Sequence, residues 1–358
     1  MTMSSTRSRI AVLFGGRSTE HDISVLSATN VMGALSPEKY DAVPIFVTRD
    51  GRWLLSRFED GVLSKPETGT ELALVPGGRG RMIGIGTDGR MAVAGTIDAL
   101  FPVLHGLYGE DGSVQGLAEV ARVPLVGCGI LGSATALDKV ITKRLLRASG
   151  LPVARSLTIT EETTPDFATL ERELGSPLII KPARQGSSVG VGKVSGSQEL
   201  KPALAEGFRH DDSLLAEEFI RGREVEFSVL EDVAGGLFVS RPGEIVPAES
   251  HGFYTYDAKY IDEDGAALKV PAELPAEIEA SMRDAAAKAF RALGCDGMAR
   301  VDFFLTPDMR FVINEVNTIP GFTNISMYSK ALSASGVSYP EIIDRLIAHG
   351  MARAERAS

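Results

Sequence analysis

Apolar and polar side chains alternate most clearly in the stretch from Arg300 to Gly321. Residues 300–306 and 311–317 are rich in Val, Ile and Phe, which favour β-strands, and a Pro-Asp pair between them is typical of turns. The pattern therefore predicts a β-hairpin with a four-residue loop at 307–310.

The register of this hairpin decides which side chains share a face. The facing pairs are predicted to be Thr306 with Phe311, Asp302 with Glu315, and Arg300 with Asn317. Since side chains alternate across a strand, one face carries Arg300, Asp302, Glu315 and Asn317. The opposite face carries Val301, Phe303, Val312 and Val316, and we expect it to be buried.

The polar face places two carboxylates opposite each other, which costs a few tenths to ~1 kcal/mol when nothing lies between them. A cation between Asp302 and Glu315 would remove that repulsion, and Asn317 would add a neutral oxygen. An all-oxygen set suits Mg²⁺ or Mn²⁺ rather than Zn²⁺. The alternative is an exposed hairpin with an ordinary Arg–carboxylate pair, but the strongly apolar opposite face favours a metal site.

The N-terminal part opens with a strand, a glycine turn and a helix. Residues 10–14 are an unbroken apolar run, Gly15-Gly16 follows, and an amphipathic pattern continues to about Leu35. This order is typical of a doubly wound α/β unit, whose ligands lie at the carboxyl ends of its strands. The turn lacks the G-x-G-x-x-G pattern, which disfavours a nicotinamide dehydrogenase.

Two candidate ligand-binding residues lie just past predicted strand ends. Glu20 follows the first strand, where its carboxylate could meet a substrate ammonium group or simply interact with the helix dipole, and the sequence does not decide between the two. His105 follows the strand predicted at 99–104. A lone histidine is more often structural than functional, but this position favours a role near a ligand.

The remaining pattern predicts alternating strands and helices in three units, 1–127, 128–221 and 222–358. Strands are expected at 40–47, 123–126, 154–159, 177–181, 214–220 and 225–230, and helices at 114–121, 133–148, 165–174, 275–293 and 340–348. The glycine-rich residues 76–90 are predicted to be an exposed loop or small hairpin. Residues 242–264 contain three tyrosines and are predicted to form a lid.

A strand, a loop of small residues and a second strand are predicted between Pro177 and Val194. The loop could direct several backbone N–H groups at a phosphate, and Lys181 adds a positive charge. It is not a Walker A loop, which would need Gly at Ser187 and Ser or Thr at Val194. A flexible glycine hairpin is the alternative, but Lys181 at the end of an apolar strand favours phosphate binding.

Composition narrows the possible functions. The chain has 358 residues, 44% of them hydrophobic and 23% charged, which is typical of a globular enzyme with two or three cores. A net charge of −10 disfavours nucleic acid as a partner. Two cysteines without a CxxC motif suit a reducing cytoplasm, and no apolar run approaches the roughly 20 residues that span a membrane. We therefore expect a cytoplasmic protein that is not inserted in a membrane.

Eight motifs occur in one order along the chain: GGRSTEHDIS, HGLYGEDGSVQG, LDK, IIKPARQGSSVGV, EEFIRGREVE, YDAKY, GMARVDFF and INEVNTIPGFTNIS. Together they resemble the D-alanine–D-alanine ligase family of peptidoglycan synthesis, from Ile10 to the last predicted helix. The resemblance implies an α/β (α+β) protein with an ATP-grasp fold and an N-terminal doubly wound parallel-sheet domain. It also implies that ATP and two D-alanines give D-alanyl-D-alanine, ADP and phosphate through a D-alanyl phosphate.

The resemblance also implies site residues. Those for ATP are Lys139, Lys181, Ser187, Ser188, Glu217, Phe219, Ile220 and Glu224. Those for the two D-alanines are Glu20, His105, Lys259, Arg300 and Ser326. The catalytic set is Glu20, Ser187, Tyr260, Arg300 and Gly321. Asp302, Glu315 and Asn317 would hold two Mg²⁺ or Mn²⁺ ions, in agreement with the hairpin pattern.

Within that catalytic set, Arg300 and the Gly321 N–H would form an oxyanion site, and Tyr260 would close the lid toward Glu20 and Ser187. Three features depart from the family pattern: Phe219 stands where many members have tryptophan or another apolar residue, Met327 follows Ser326 where some have leucine, and the shortest members lack the 76–90 excursion. The Met327 change leaves the tolerance of the second amino-acid site open.

Two alternatives remain within the implied fold. A D-alanine–D-lactate or D-alanine–D-serine ligase would use the same framework, although Tyr260 argues against lactate because ester-forming relatives tend to lose that tyrosine. A non-catalytic ATP-binding protein would be expected to lack a metal ligand or Arg300, and all are present. We expect D-alanine and ATP as the small-molecule partners and a homodimer as the assembly.

Overall fold

The computed structural model describes residues 7–247, 266–323 and 325–357. Within those ranges it consists of three large sheets, each covered by helices, and one short two-stranded sheet. No helix in these ranges is long and apolar enough to cross a membrane.

The first sheet has seven strands in the order β8-β7-β6-β3-β2-β1-β9. Their bounds are β1 Ser8–Gly15, β2 Tyr40–Val47, β3 Trp53–Leu55, β6 Glu71–Leu74, β7 Arg81–Ile85, β8 Met91–Thr96 and β9 Ala99–Pro102, and the short hairpin consists of β4 Phe58–Glu59 and β5 Val62–Leu63. β1 pairs in parallel with β2 and β9, whereas β3 and β6–β8 extend the sheet in antiparallel fashion. The glycine-rich excursion is thus a hairpin, and the strand predicted at 123–126 makes only one bridge, between Leu100 and Leu125.

The central strand β1 is buried on both faces, as its continuous apolar run predicts. Val12 and Phe14 pack with helix α1 (His21–Ala34), whereas Ala11 and Leu13 pack with helix α2 (Ser113–Ala121). This two-sided cover brings the carboxyl end of β1 and the following Glu20 to the sheet edge where doubly wound proteins bind ligands.

A break at Asp138 divides the helix predicted at 133–148. The structure has α3 (Ile130–Leu137) and α4 (Lys139–Ala148), and Asp138 between them is extended. The Asp138 carboxylate accepts hydrogen bonds from the backbone N–H groups of Val140 (2.9 Å) and Ile141 (3.1 Å). This is N-cap geometry, so Asp138 starts a new helix and places Lys139 on its first turn.

The second sheet is antiparallel, in the order β10-β13-β11-β12. Its strands are β10 Ser156–Ile159, β11 Leu178–Pro182, β12 Gly192–Val194 and β13 Leu214–Glu218, and its helices are α5 Phe167–Leu174 and α6 Ser197–Phe208. Leu178 and Ile180 pack into the core beneath these helices. Because side chains alternate, Ile179 and Lys181 on the same strand face a cavity instead.

The third sheet runs in the order β17-β16-β14-β18-β19, with β15 paired to β14. Its strands are β14 Arg223–Glu231, β15 Leu237–Val239, β16 Gly243–Pro247, β17 Ala266–Lys269, β18 Met298–Leu305 and β19 Phe311–Asn317, and the remaining helices are α7 Ala276–Ala292, α8 Met327–Ala334 and α9 Tyr339–Ala357. The last helix reaches residue 357 rather than ending at 348 as predicted. Buried residues of α7 pack against the apolar face of the β18–β19 hairpin.

The hairpin confirms the two site pairs and corrects the register near the turn. Arg300 faces Asn317 and Asp302 faces Glu315, as predicted, but Leu305 rather than Thr306 faces Phe311. The Thr306 N–H donates to the Arg310 carbonyl (2.8 Å), so the loop is three residues long, with Met309 at φ 61°.

The extra residue at Asn314 compensates for this shorter loop. The register shifts by one residue between Asp302 and Phe303, which leaves Asn314 without a facing partner, as in a β-bulge. Ile313 therefore takes the core position that we predicted for Val312, which is only half-buried. On the far side of the bulge the predicted register, and with it the polar face, is restored.

Candidate active site

Two cavities meet between the three large sheets. The larger, of about 290 Å³, lies between the second sheet and the β18–β19 hairpin. The smaller, of about 70 Å³, lies beside the residues that follow β1 and β9. Both are lined by Lys139, Glu315 and the segment 185–187, which therefore form a shared wall.

Most of the sequence-predicted residues line one or both of these cavities, whereas Asp302 and Ser326 line neither. The larger cavity is lined by all eight residues assigned to ATP: Lys139, Lys181, Ser187, Ser188, Glu217, Phe219, Ile220 and Glu224. The smaller cavity is lined by Glu20, His105, Ser187, Arg300, Glu315, Asn317 and Gly321. Lys259 and Tyr260 lie outside the described residues.

A buried cluster of three charges lies at the side of the larger cavity. Glu217 pairs through one carboxylate oxygen with Lys181 (2.5 Å) and through the other with Lys143. Burial alone would raise the pKa of Glu217, but the two lysines outweigh it and hold the pKa below its ordinary value. Lys181 also donates to the Asn314 side-chain oxygen (3.3 Å), so the bulge supplies a further polar contact.

At the shared wall, Lys139 lies close to Glu315. Its Nζ donates to the Gln185 carbonyl (2.6 Å) and is 3.9 Å from a Glu315 carboxylate oxygen. Burial lowers the pKa of Lys139, and Glu315 opposes that shift. The ammonium group is thereby fixed at the junction, where it reaches both cavities.

Glu20 lies in the smaller cavity. It occupies the N-cap position of α1 but makes no side-chain cap hydrogen bond, and instead accepts one from Ser187 Oγ (2.5 Å). A Cβ atom at Gly106 or at Gly186 would lie 3.0 Å from the Glu20 carboxylate, so both glycines allow the backbone to approach it closely. The hydrogen bond between Ser187 and Glu20 joins the small-residue loop to the end of the first sheet.

His105 is held by protein atoms on both ring nitrogens. Nδ1 lies 3.0 Å from the Ile319 carbonyl, and Nε2 lies 3.1 Å from Ser27 Oγ. Burial lowers the pKa of His105, an effect that Glu20 opposes. The ring therefore lines the cavity as a neutral group that connects β9 to the segment after the hairpin.

Glu110 is a residue that the sequence analysis did not assign. Its carboxylate accepts hydrogen bonds from the backbone N–H groups of Gly106 (2.7 Å) and Ile319 (2.9 Å). Burial, and after it the nearby charge of Glu20, raises the pKa of Glu110 to about 8. Its place in HGLYGEDG, directly after a strand end, is the sequence signal that marks it.

Arg300 is the centre of the polar hairpin face. Its guanidinium group binds both oxygens of Asp302 (2.7 Å each) and lies 2.9 Å from Glu226. Asn317 donates to the same Asp302 carboxylate (2.9 Å). The predicted polar face is therefore a hydrogen-bonded unit in which Arg300 is oriented by two acidic side chains.

Gly321 lines the smaller cavity, and Ser326 lies against it outside the lining. A Cβ atom at Gly321 would lie 2.7 Å from Ser326 Oγ, so a side chain at this position would have to displace the Ser326 hydroxyl group. Ser326 Oγ accepts from the Thr323 N–H (3.0 Å) and does not cap the helix that it precedes. The hydroxyl group is thus held next to the Gly321 backbone.

The donor chemistry of Asp302, Glu315 and Asn317 fits a hard divalent cation. They offer two carboxylates and an amide on one sheet face, which is the all-oxygen set that such a cation prefers. Among the described residues, no group of three His, Cys, Asp or Glu side chains could hold a metal by itself. A cation here would therefore need further oxygen ligands, such as those of a bound phosphate chain.

The fold and its paired cavities define an enzyme of the ATP-grasp class, an ATP-dependent ligase. Family models for the N-terminal and C-terminal parts of D-Ala–D-Ala ligases match residues 9–128 and 145–348. The chain belongs to the D-alanine–D-alanine ligase family, whose members join D-alanines with ATP and a divalent metal ion for peptidoglycan synthesis.

Individual relatives agree with this assignment over nearly the full chain. The chain is 66% identical to D-alanine–D-alanine ligase A of Brucella suis, covering 98% of this chain and 99% of that one. It is 53% identical to D-alanine–D-alanine ligase A of Mesorhizobium japonicum, with 97% and 98% covered.

Solved structures have the same fold. The D-alanine–D-alanine ligase of Coxiella burnetii superposes with a TM-score of 0.83 at 34% identity, covering 98% of this chain and 96% of that one. A D-Ala:D-Ser ligase of Enterococcus faecalis gives a TM-score of 0.83 at 36% identity, with 96% and 100% covered. The fold is therefore shared by ligases of different second-substrate specificity.

Proposed function

We propose that this chain joins two D-alanines into D-alanyl-D-alanine, and that the two cavities bind different substrates. The larger would bind ATP and the smaller the amino acids, with the γ-phosphate at the wall formed by Lys139, Glu315 and residues 185–187. The observation that carries the proposal is this shared wall, because phosphoryl transfer requires the donor and the acceptor carboxylate to meet at one point.

The proposed reaction has two steps. A carboxylate oxygen of the first D-alanine attacks the γ-phosphorus, the bond to the β–γ bridging oxygen breaks, and ADP leaves. The amine of the second D-alanine then attacks the acyl carbon of D-alanyl phosphate, a proton is lost from nitrogen, and phosphate leaves. Lys139 and Lys181 would neutralise phosphate charge, while Ser187 and Ser188 would close over the phosphates.

Around the nucleotide, Glu217 and the backbone of Phe219 and Ile220 would meet adenine, and Glu224 would bind the ribose. Asp302, Glu315 and Asn317 would hold two ions, Mg²⁺ or Mn²⁺. When bound, such ions neutralise charge on the transferred phosphoryl group.

Around the amino acids, Glu20 would bind the ammonium group of the first D-alanine, with His105 beside it. Arg300 and the Gly321 N–H would stabilise the oxyanion formed at the acyl carbon. Ser326 and Lys259 would bind the carboxylate of the second D-alanine. Tyr260 would close the lid, which excludes water that would otherwise hydrolyse the acyl phosphate.

For the whole molecule we propose three units, 1–127, 128–221 and 222–358, each built around one of the large sheets. We further propose a homodimer in the cytoplasm. Cys128 and Cys295, both buried and free, are compatible with a reducing compartment.

The test is phosphate release with ATP and Mg²⁺ and a panel of D- and L-amino acids and D-lactate, followed by product identification. We expect release to depend on D-alanine and the product to be D-alanyl-D-alanine. Because a D-Ala:D-Ser ligase shares the fold, D-alanine and D-serine are also supplied together. A mixed dipeptide as the main product at equal concentrations would replace the proposal with that alternative, and no D-alanine-dependent release would overturn it.

A further inference from the structure

Lys143 stands out because it is a buried charge that the proposed function does not use. It lies on α4 four residues after Lys139, on the same side of the helix. Its side chain is almost fully buried, as is that of its partner Glu217. Burying such a charge is costly unless it is paired, so its pairing has to be explained.

The cluster contains two lysines for one carboxylate. Glu217 lies between Lys143 and Lys181, with one oxygen toward each. If Lys181 were the only cation beside Glu217, the pair would be neutral, and the charge of Lys181 would be largely cancelled at the cavity. With Lys143 behind the carboxylate, the cluster has a formal charge of +1, and of its two lysines the one that lines the cavity is Lys181.

We propose that Lys143 is a positioning residue for nucleotide binding, which neutralises Glu217 from behind so that Glu217 does not cancel the attraction of Lys181 for a phosphate chain. The inference rests on the proposed ATP site and extends it to a residue behind the cavity wall. It also explains how Glu217 stays ionised and oriented in a buried place, where its two oxygens have different lysine partners.

The orientation of α4 supports this role. Asp138 caps the helix, and the backbone N–H of Lys139 donates to the Ala183 carbonyl (3.0 Å), which fixes the helix start against the strand that carries Lys181. Lys139 and Lys143 therefore reach the site from one rigid element, the first at the junction of the cavities and the second behind Glu217. A rigid support of this kind keeps buried ion-pair geometry constant.

The experiment is a double-mutant cycle on Lys143→Met and Glu217→Gln, read as the Kd of ADP without amino acids. In the wild-type background, Lys143→Met should weaken ADP binding about 10-fold or more, because Glu217 then cancels Lys181. In the Glu217→Gln background, the same change should weaken it less than about 3-fold. Lys143→Arg should restore near-normal affinity, and Arg144→Met, on the exposed side of the same helix, should have no effect.

An equal loss of ADP affinity in both backgrounds, or no loss in either, would overturn the inference and leave Lys143 a purely structural residue. If Lys143→Met does not fold, the Lys143→Met/Glu217→Gln double variant and Lys143→Arg decide the matter. Their ADP affinities should then match Glu217→Gln and wild type, and a 10-fold deficit in either overturns the inference. ADP binding is measured without D-alanine, so this outcome is distinct from failure of the proposed ligation.

Discussion

Two glutamates, one beside each cavity, have pKa values shifted in opposite directions. Both Glu217 and Glu110 are removed from solvent, which by itself raises a carboxyl pKa. Glu217 lies between two lysines, and its pKa stays below the ordinary value. Glu110 has backbone N–H partners and the negative charge of Glu20 nearby, and its pKa rises to about 8. Because both carboxyl groups are buried, their pKa values shift in opposite directions as a result of the neighbouring charges.

The difference suggests how one protein can serve two unlike substrates. On the proposed nucleotide side, the cluster of Lys143, Glu217 and Lys181 has one excess positive charge, which suits a polyanion. On the proposed amino-acid side, the negative charge of Glu20 suits an ammonium group, while Glu110 beside it stays protonated up to about pH 8. Arg300, oriented by acidic partners, lines the smaller cavity together with Glu315 of the shared wall.

The largest effect is expected at the shared wall. Glu315→Gln removes a charge that faces both cavities, and kcat should fall on the order of 10³-fold, since charge neutralisation at a transferred phosphoryl group contributes several kcal/mol. The measurement is phosphate release at saturating ATP and D-alanine. Asp308→Asn, in the exposed turn of the same hairpin, is the matched control and should have normal activity. Near-normal turnover of Glu315→Gln would remove Glu315 from the metal site.

A smaller effect, confined to the amino-acid side, is expected for Arg300→Lys. Lysine cannot reproduce the two-point contact with Asp302, so kcat should fall on the order of 10²-fold while ADP affinity stays within about 2-fold of wild type. Steady-state kinetics and ADP binding together separate the two effects. If only the KM for ATP changed, Arg300 would belong to the nucleotide side.

The opposite pKa shifts should appear as opposite pH dependences of stability. From pH 4.5 to about 8, folded protein keeps a proton on Glu110 that unfolded protein has lost, so Glu110 makes the free energy of unfolding decrease as pH rises. Glu217 has the reverse sign: its contribution is present above pH 4.5 and is lost as pH falls below it.

Melting temperatures of the wild type, Glu110→Gln and Glu217→Gln between pH 4 and 9 test this contrast. As pH rises toward 8, the melting temperature of the wild type should fall by a few degrees relative to that of Glu110→Gln. For Glu217→Gln, the advantage of the wild type should shrink only at the acid end. Parallel curves for the two variants would contradict the contrast.

The smallest effect is expected at the edge of the nucleotide cavity. Lys193 Nζ lies 4.7 Å from the centre of the Phe219 ring, a cation–π contact. Phe219→Leu keeps an apolar side chain but loses that contact, so the KM for ATP should rise roughly 2-fold to 5-fold with kcat unchanged. A change in kcat would instead indicate that Phe219 also affects closure of the site.

The β18–β19 hairpin shows how much of the fold could be predicted from the sequence. Alternation predicted the Asp302–Glu315 and Arg300–Asn317 pairs, because a polar face opposite an apolar one specifies register. It could not reveal the bulge at Asn314, since a shorter loop and an extra strand residue cancel in the pairs that we compared. The choice of Val312 over Ile313 for the core was wrong for the same reason.

The helix break at Asp138 and the charged cluster around Glu217 show a second limit of prediction from the sequence. Asp138 has strong N-cap chemistry, but the apolar periodicity on both sides of it resembles one helix, and a single helix was predicted. Lys143 and Glu110 were missed because their partners are far apart in sequence. The pairing of Lys143 with Glu217 and the contact of Glu110 with Ile319 arise only when separate sheets come together.

The bulge at Asn314 separates two parts of the β18–β19 hairpin, the turn and the polar face. A residue added within the turn at 307–309 would enlarge only an exposed loop, because the register changes at the bulge before the polar face begins. Loss of Asn314 would remove the bulge and leave a regular ladder, in which Ile313 still faces Phe303 and Glu315 still faces Asp302. The turn is therefore a suitable place to insert a label or an affinity tag, whereas loss of Asn314 would remove the side-chain contact that it makes with Lys181.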